Sequence, residues 1–155
     1  VSASGFTDQE ERMMRAAFEQ ARMATAHDDV PIGCVIAFGD RIIGVGRNER
    51  ELRQDPTAHA ETVALRQAAA ELGSWRLLDT TLFVTLEPCA MCAGAIVLAR
   101  VPRVIFGAAD SKAGACGSVL DVTGEPRLNH RPRVEGGLLE QECGELLREF
   151  FAARR

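Results

Sequence analysis

The order of apolar patterns along this chain predicts an α/β fold: a three-layer α/β/α sandwich in which helices cover a central sheet of about five strands. Three observations carry that expectation. Short β-type runs alternate with longer helical stretches. The 155 residues fit one domain, taken as 1–155, able to bury roughly two-thirds of its unfolded surface. No apolar run approaches the ~18 residues a membrane span needs, and the longest, Ala93 to Ala99, is far shorter.

The first helix is signalled by Thr7 and Glu10 at capping-box spacing, followed by Met14, Phe18 and Ala21 on one face. His27-Asp28-Asp29 ends it, and Val30-Pro31 opens an extended stretch. Two apolar segments, Cys34 to Phe38 and Arg41 to Val45, flank a Gly39-Asp40 pair suited to a two-residue hairpin turn. A polar loop is expected from Arg47 to Pro56. Ala58 to Leu72 is rich in Ala, Glu, Leu and Gln and reads as a helix stopped by Gly73.

Thr81 to Leu86 is a β-type run, after which Pro88 is placed to open a helix from Cys89 to about Ala99. That helix is small and apolar on nearly every face, which fits burial between the sheet and a second subunit. Val104 to Phe106 is a short strand. A Gly-rich loop is expected through Gly107, Gly114, Gly117 and Gly124, then a weak strand near Val134 and a last helix from Leu138 to the terminus.

Composition limits the function classes. Five cysteines, at 34, 89, 92, 116 and 143, are an odd number, and Val1 to Gly5 lacks the charged start and apolar core of a secretory signal. Metal ligands or buried thiols in a cytoplasmic protein are therefore expected over a disulfide framework. The net charge of -4 argues against a nucleic-acid partner only if charge is evenly spread. From Arg100 to Arg133 six basic residues face three acids, and Arg154 and Arg155 add to the far end, enough to meet a short run of phosphates. A solvated loop would look the same.

Two short pieces carry the chemistry: His59-Ala60-Glu61 and Pro88-Cys89-Ala90-Met91-Cys92. Cys89 and Cys92, three apart on a helix, project from one face within its first turn, where unpaired N–H groups favour thiolate. Thiolates and neutral imidazole are ligands that Zn²⁺ prefers. Taken singly, the histidine is an ordinary cap or surface residue, and the Cys pair a redox dithiol or half of a structural site. Together they are more restrictive, because a structural zinc site needs four protein ligands and Cys34, Cys116, Cys143, His27 and His130 stand alone. Three ligands with an open position is the catalytic arrangement, and Glu61 adds a proton carrier beside it.

His-x-Glu followed by Pro-Cys-x-x-Cys is the signature of the zinc-dependent nucleobase deaminases, the cytidine/deoxycytidylate deaminase superfamily. Asp55 to Glu61, Thr85 to Ala95 and Phe106-Gly107-Ala108 closely resemble the bacterial tRNA-specific adenosine deaminases, the TadA family, as do Val30 to Gly33 and Glu149-Phe150-Phe151. The resemblance runs over about residues 7 to 155. It implies a cytidine deaminase-like fold with a mixed sheet, and one Zn²⁺ per subunit held by His59, Cys89 and Cys92. It also implies a homodimer, a tRNA anticodon stem-loop as partner, and a wobble adenosine, in an arginine tRNA, as substrate.

The chemistry implied is hydrolysis by a zinc-activated water attacking C6, with Glu61 moving the proton to ring nitrogen N1 and then assisting the departure of ammonia. Asn48 matches the family's base-binding amide, although a turn residue after a strand would look alike. Val30 and Pro31 match the pocket wall, and Asp110 and Lys112 the loop that meets the anticodon backbone, where a lone lysine is otherwise simply solvated. Of the two terminal rings, one is expected to pack on the sheet. The other, Phe151, matches a position beside a splayed base.

Two rivals remain open. A deaminase of free guanine or a nucleoside shares the zinc core, although small-nucleoside cytidine deaminases usually carry Cys where this chain has His59. A catalytically silent zinc-containing RNA-binding protein would have no need of Glu61.

Overall fold

The computed structural model describes residues 5–154; the N-terminal Val1 to Ser4 segment and Arg155 lie outside the described residues. Five helices are named here α1 (Asp8–Ala24), α2 (Arg50–Arg53), α3 (Ala60–Leu72), α4 (Ala90–Leu98) and α5 (Glu140–Ala152). Five strands are β1 (Gly33–Phe38), β2 (Arg41–Arg47), β3 (Thr80–Leu86), β4 (Arg103–Ala108) and β5 (Arg133–Gly136).

The strands form one sheet in the order β2-β1-β3-β4-β5. β1 pairs antiparallel with β2 and β3, whereas β3–β4 and β4–β5 are parallel, so the sheet is mixed. Alternation along the strands divides the core in two. Cys34, Ile36, Leu82, Val84 and Val104 join Ala60, Ala64 and Ala68 of α3 and Ile96 of α4. Val35, Phe83 and Ile105 join Met13, Met14 and Ala17 of α1 and Leu138 ahead of α5. The three layers predicted from the order of elements are those observed.

Local chemistry explains most boundaries. Thr7 caps α1 in a reciprocal capping box with Glu10. The α1 face that is buried is Met13, Met14, Ala17, Ala21 and Ala24. Phe18 is only partly covered, because Gly33 brings β1 against Ala17, where only small side chains fit: a Cβ on Gly33 would lie 1.9 Å from the Ala17 carbonyl oxygen. Three readings need correction. The 47–56 loop contains the short helix α2, stopped by Gln54 in a left-handed conformation. Gly107 lies in β4 rather than in the following loop, with Cys143 packed where its side chain would be. Cys89 precedes α4 as its N-cap residue, so the helix starts one residue later than Pro88 suggested.

Candidate active site

β3 and β4 are adjacent and parallel, and the crevice beyond the carboxyl ends of such strands is where ligands bind in open α/β sheets. Here it is a cleft of ≈ 650 Å³. Its walls come from Val30 and Ile32 before β1, Asn48 and Arg50 after β2, His59 and Ala60 at the start of α3, the loop Ala109 to Lys112, and one side of α5.

Two helix N-termini converge at His59, which lines the cleft. His59 is the N-cap residue of α3 and Cys89 that of α4, both with extended backbone. The His59 N–H donates to Thr62 Oγ1 (3.1 Å), and the Thr62 hydroxyl donates back toward Thr57 and His59 carbonyls, which fixes the residue that presents the imidazole. His59 Nδ1 lies 3.6 Å from Cys89 Sγ and 3.5 Å from Cys92 Sγ, and the three donor atoms all lie within 4.8 Å of one another. A tetrahedral zinc with ordinary Zn–S and Zn–N bonds separates its sulfur and nitrogen ligands by about 3.6 Å. The donor set and its spacing therefore fit Zn²⁺, through Nδ1 of the imidazole.

The electrostatics of the cluster agree. Hydrogen bonds from Cys92 and His59 hold the Cys89 thiol down at about 3, against the opposing effect of burial. Hydrogen bonding to Cys89 raises the His59 imidazole. Its neighbour Cys89 and burial push the Cys92 thiol up. Glu61, 4% exposed in the first turn of α3, is pushed up to about 7, chiefly by burial and secondarily by the Cys89 thiolate. A carboxyl group poised near neutrality can both accept and release a proton.

Elsewhere around the cleft, the structure places most of the residues singled out in the sequence. Asn48 is buried in the cleft wall; its Nδ2 donates to the Val30 carbonyl (3.3 Å) and its Oδ1 accepts from the Arg50 N–H (3.1 Å). Val30, Asp110, Lys112 and Phe151 line the cleft. Phe151 is 47% exposed and meets buried Phe150 edge-to-face at 5.4 Å, so the two rings divide into one that packs and one that is free. Pro31 needs correction. It is buried at the centre of a tight turn, closed by the Ile32 N–H donating to the Val30 carbonyl (2.9 Å), and its neighbours Val30 and Ile32 line the cleft instead. The other three cysteines stand apart from the donor cluster: burial raises Cys34, and raises Cys116 to about 11 and Cys143 to about 12.

The sequence marks no site role for Arg50, Arg148, Asp29 or Glu87. Arg50 and Arg148 line the cleft. Arg148 was findable, since it precedes Phe151 by three residues on one helix and so shares its face. Asp29, 1% exposed, accepts the N–H groups of Glu51 (2.7 Å) and Leu52 (3.1 Å) and binds His27 Nδ1 (2.6 Å), holding α2 and hence Arg50 beside the cleft. Glu87 binds the loop on the opposite side.

The mixed five-stranded sheet and the His-Cys-Cys cluster at its crevice define a deaminase of the cytidine deaminase-like class. The MafB19-like deaminase profile matches residues 8–155. A tRNA-specific adenosine deaminase of Streptococcus pyogenes serotype M18 (strain MGAS8232) is 47% identical over 142 residues, 92% of this chain and 89% of that one. A solved tRNA:A34 deaminase, described for A-to-I editing at the wobble position of transfer RNA, superposes with a TM-score of 0.85 at 43% identity, covering 88% of this chain and 99% of its own. A guanine deaminase from Nitrosomonas europaea shares the fold (TM-score 0.76; 98% and 97% covered) at 24% identity. The chain belongs to the bacterial tRNA-specific adenosine deaminase family.

Proposed function

We propose that this chain is a zinc-dependent hydrolase that converts adenosine to inosine at the wobble position of a tRNA anticodon in the cytoplasm, an arginine tRNA being the substrate. The observation that carries the chemistry is the three-donor cluster at tetrahedral spacing with a buried carboxyl beside it. Similarity to tRNA-specific deaminases at nearly half of all positions, against a quarter for the guanine deaminase, carries the substrate class.

His59, Cys89 and Cys92 would hold the ion. When bound, zinc supplies the Lewis acidity that makes water a nucleophile near neutral pH. Glu61 takes the proton of the attacking water, delivers it to N1 of adenine, and assists protonation of the leaving ammonia. Asn48 exchanges its internal hydrogen bonds for the purine edge, since its amide both donates and accepts. Val30 packs against the base, and Phe151 offers a free ring to a neighbouring base turned out of the loop. Asp110 and Lys112 meet the backbone of the anticodon stem-loop. α4 exposes Met91 and Leu98, and Leu98 shares with Trp75 an apolar surface on which a second copy would pack.

Inosine quantified by nucleoside mass analysis after incubation with an arginine-tRNA anticodon stem-loop tests the reading. Free guanine, cytidine and adenosine are run in parallel. Inosine in the stem-loop and no turnover of the free molecules is the expected result. Consumption of guanine with the RNA untouched would overturn the substrate assignment and keep the zinc chemistry.

A further inference from the structure

Two residues before Cys89 stands a carboxylate that the proposed chemistry does not use. Glu87 is 2% exposed, and among the described residues it has no cationic partner. A buried carboxylate without a counter-charge is costly unless donors surround it. Four do. The Asp110 N–H (3.1 Å) and the Ser118 hydroxyl donate to Oε1; the N–H groups of Cys116 (3.0 Å) and Ser118 (3.1 Å) donate to Oε2.

All four donors belong to one stretch of the loop after β4, and that stretch has no helix or strand of its own. It wraps the carboxyl closely: a Cβ on Gly114 would lie 2.4 Å from Glu87 Cδ. Its other tie to this side of the cleft is the Ala115 N–H to the Pro88 carbonyl (2.8 Å), again on the segment between β3 and α4. An apolar residue at 87 would leave the half-buried Asp110 and Cys116 and the more exposed Ser118 with backbone N–H groups lacking their acceptor. The loop is thus built around an anion supplied by the segment that also carries Cys89.

The same loop carries Asp110 and Lys112 to the cleft wall. One side chain therefore joins the segment bearing the proposed metal donors to the rim proposed to meet RNA. We propose that Glu87 is a positioning residue, an anionic clasp that fixes the 110–118 rim relative to Cys89 so that RNA held by the rim delivers its base in register with Glu61. This inference rests on the RNA-deaminase reading above. Glu87 touches neither substrate nor metal, so its loss shows in how RNA is held and not in the ion or in the proton transfer.

Glu87→Gln keeps the shape but puts an NH2 group against donors. The test measures zinc content, hydrogen exchange of loop amides, and steady-state kinetics on the anticodon stem-loop. Expected are unchanged zinc per subunit, exchange at Cys116 and Ser118 faster while β3 and β4 stay protected, and KM raised roughly tenfold with kcat within about twofold, as loss of one charged hydrogen-bond cluster predicts. Adding Lys112→Ala to Glu87→Gln is then expected to cost less than Lys112→Ala costs alone, because both act through one rim. Wild-type amide exchange with unchanged KM would overturn the proposal, as would a fall in kcat at constant KM or full additivity with Lys112→Ala. Should Glu87→Gln fail to fold, Ser118→Ala, which removes one donor, must shift exchange and KM in the same direction by less. Wild-type enzyme assayed alongside separates the two claims: no inosine from wild type sinks the RNA reading, while the amide exchange still decides the clasp.

Discussion

At Glu61, a carboxyl group is buried beside a cluster of two thiols and an imidazole, where its removal separates chemistry from structure. Glu61→Gln is nearly isosteric and leaves the three donors in place. It is expected to bind zinc and fold as wild type while losing inosine formation by at least about 10²-fold, the contribution of a positioned proton carrier. Arg50 and Arg148 make a second claim at this scale. Lys112 and these two arginines line the cleft, and among the described residues none of the three is in an ion pair, whereas Arg47, Arg53, Arg103, Arg133 and Arg154 all are. If they meet phosphates, Arg148→Ala is expected to weaken stem-loop binding and to reduce the dependence of log Kd on log salt by about 0.7, the value for one contact to single-stranded RNA. Filter binding between low and moderate salt reads both; an unchanged slope would place Arg148 off the RNA path.

Between elements, the site depends on how closely α3 approaches β2. Gly46 faces α3, and a Cβ there would lie 2.1 Å from the Ala60 carbonyl oxygen and 2.8 Å from the Ala64 nitrogen. Those are the residues around Glu61, so Gly46→Ala is expected to cost about 1–3 kcal/mol by overpacking and to lower activity by shifting the start of α3. Denaturant unfolding and the inosine assay measure the two effects. On the far side of the sheet, Arg103 of β4 binds Glu10 of α1 and Glu135 of β5. Burial alone would raise both carboxyls, but the Thr7 backbone N–H and Arg103 outweigh it at Glu10, and Arg103 with Arg133 outweighs it at Glu135, so both are held below the ordinary glutamate value. A carboxyl depressed in the folded state adds stability that is complete above its unfolded value of ~4.3 and is lost as pH falls through the lower folded value. Thermal stability is therefore expected to drop as pH goes from 5 toward 3. Arg103→Gln should be less stable than wild type at pH 7 and should lose less on acidification; an identical acid profile would count against the bracket.

On the scale of the whole molecule, fold and site were unequally legible. Short β-type apolar runs and a capping box mark the strands and α1 because those signals are local. The His59-x-Glu61 and Cys89-x-x-Cys92 pieces show the metal donors because each lies within one turn, and the parallel neighbours β3 and β4 then bring them to one crevice. What the sequence hides is chosen by distant packing. Small residues on α1 answer to Gly33, 16 residues beyond Ala17. Ile32, not Pro31, lines the cleft because the Ile32 N–H closes a tight turn onto the Val30 carbonyl with Pro31 at its centre. Asp29 and Glu87 look like surface acids until the structure shows the amides that surround them. The Gly107 position reads as loop because Gly is common there, and only the packed Cys143 thiol explains it in a strand.

Three donors and one carboxyl are proposed to carry out hydrolytic deamination on RNA. The measurement that tests this most directly is single-turnover inosine formation in an arginine-tRNA anticodon stem-loop, using protein of measured metal content, before and after chelation and with Glu61→Gln beside it. One zinc per subunit is expected, with activity lost on chelation, restored by added zinc, and absent from the zinc-loaded variant. Undiminished inosine formation by metal-free protein, or by Glu61→Gln, would rule out a metal-assisted hydrolysis with Glu61 as its proton carrier.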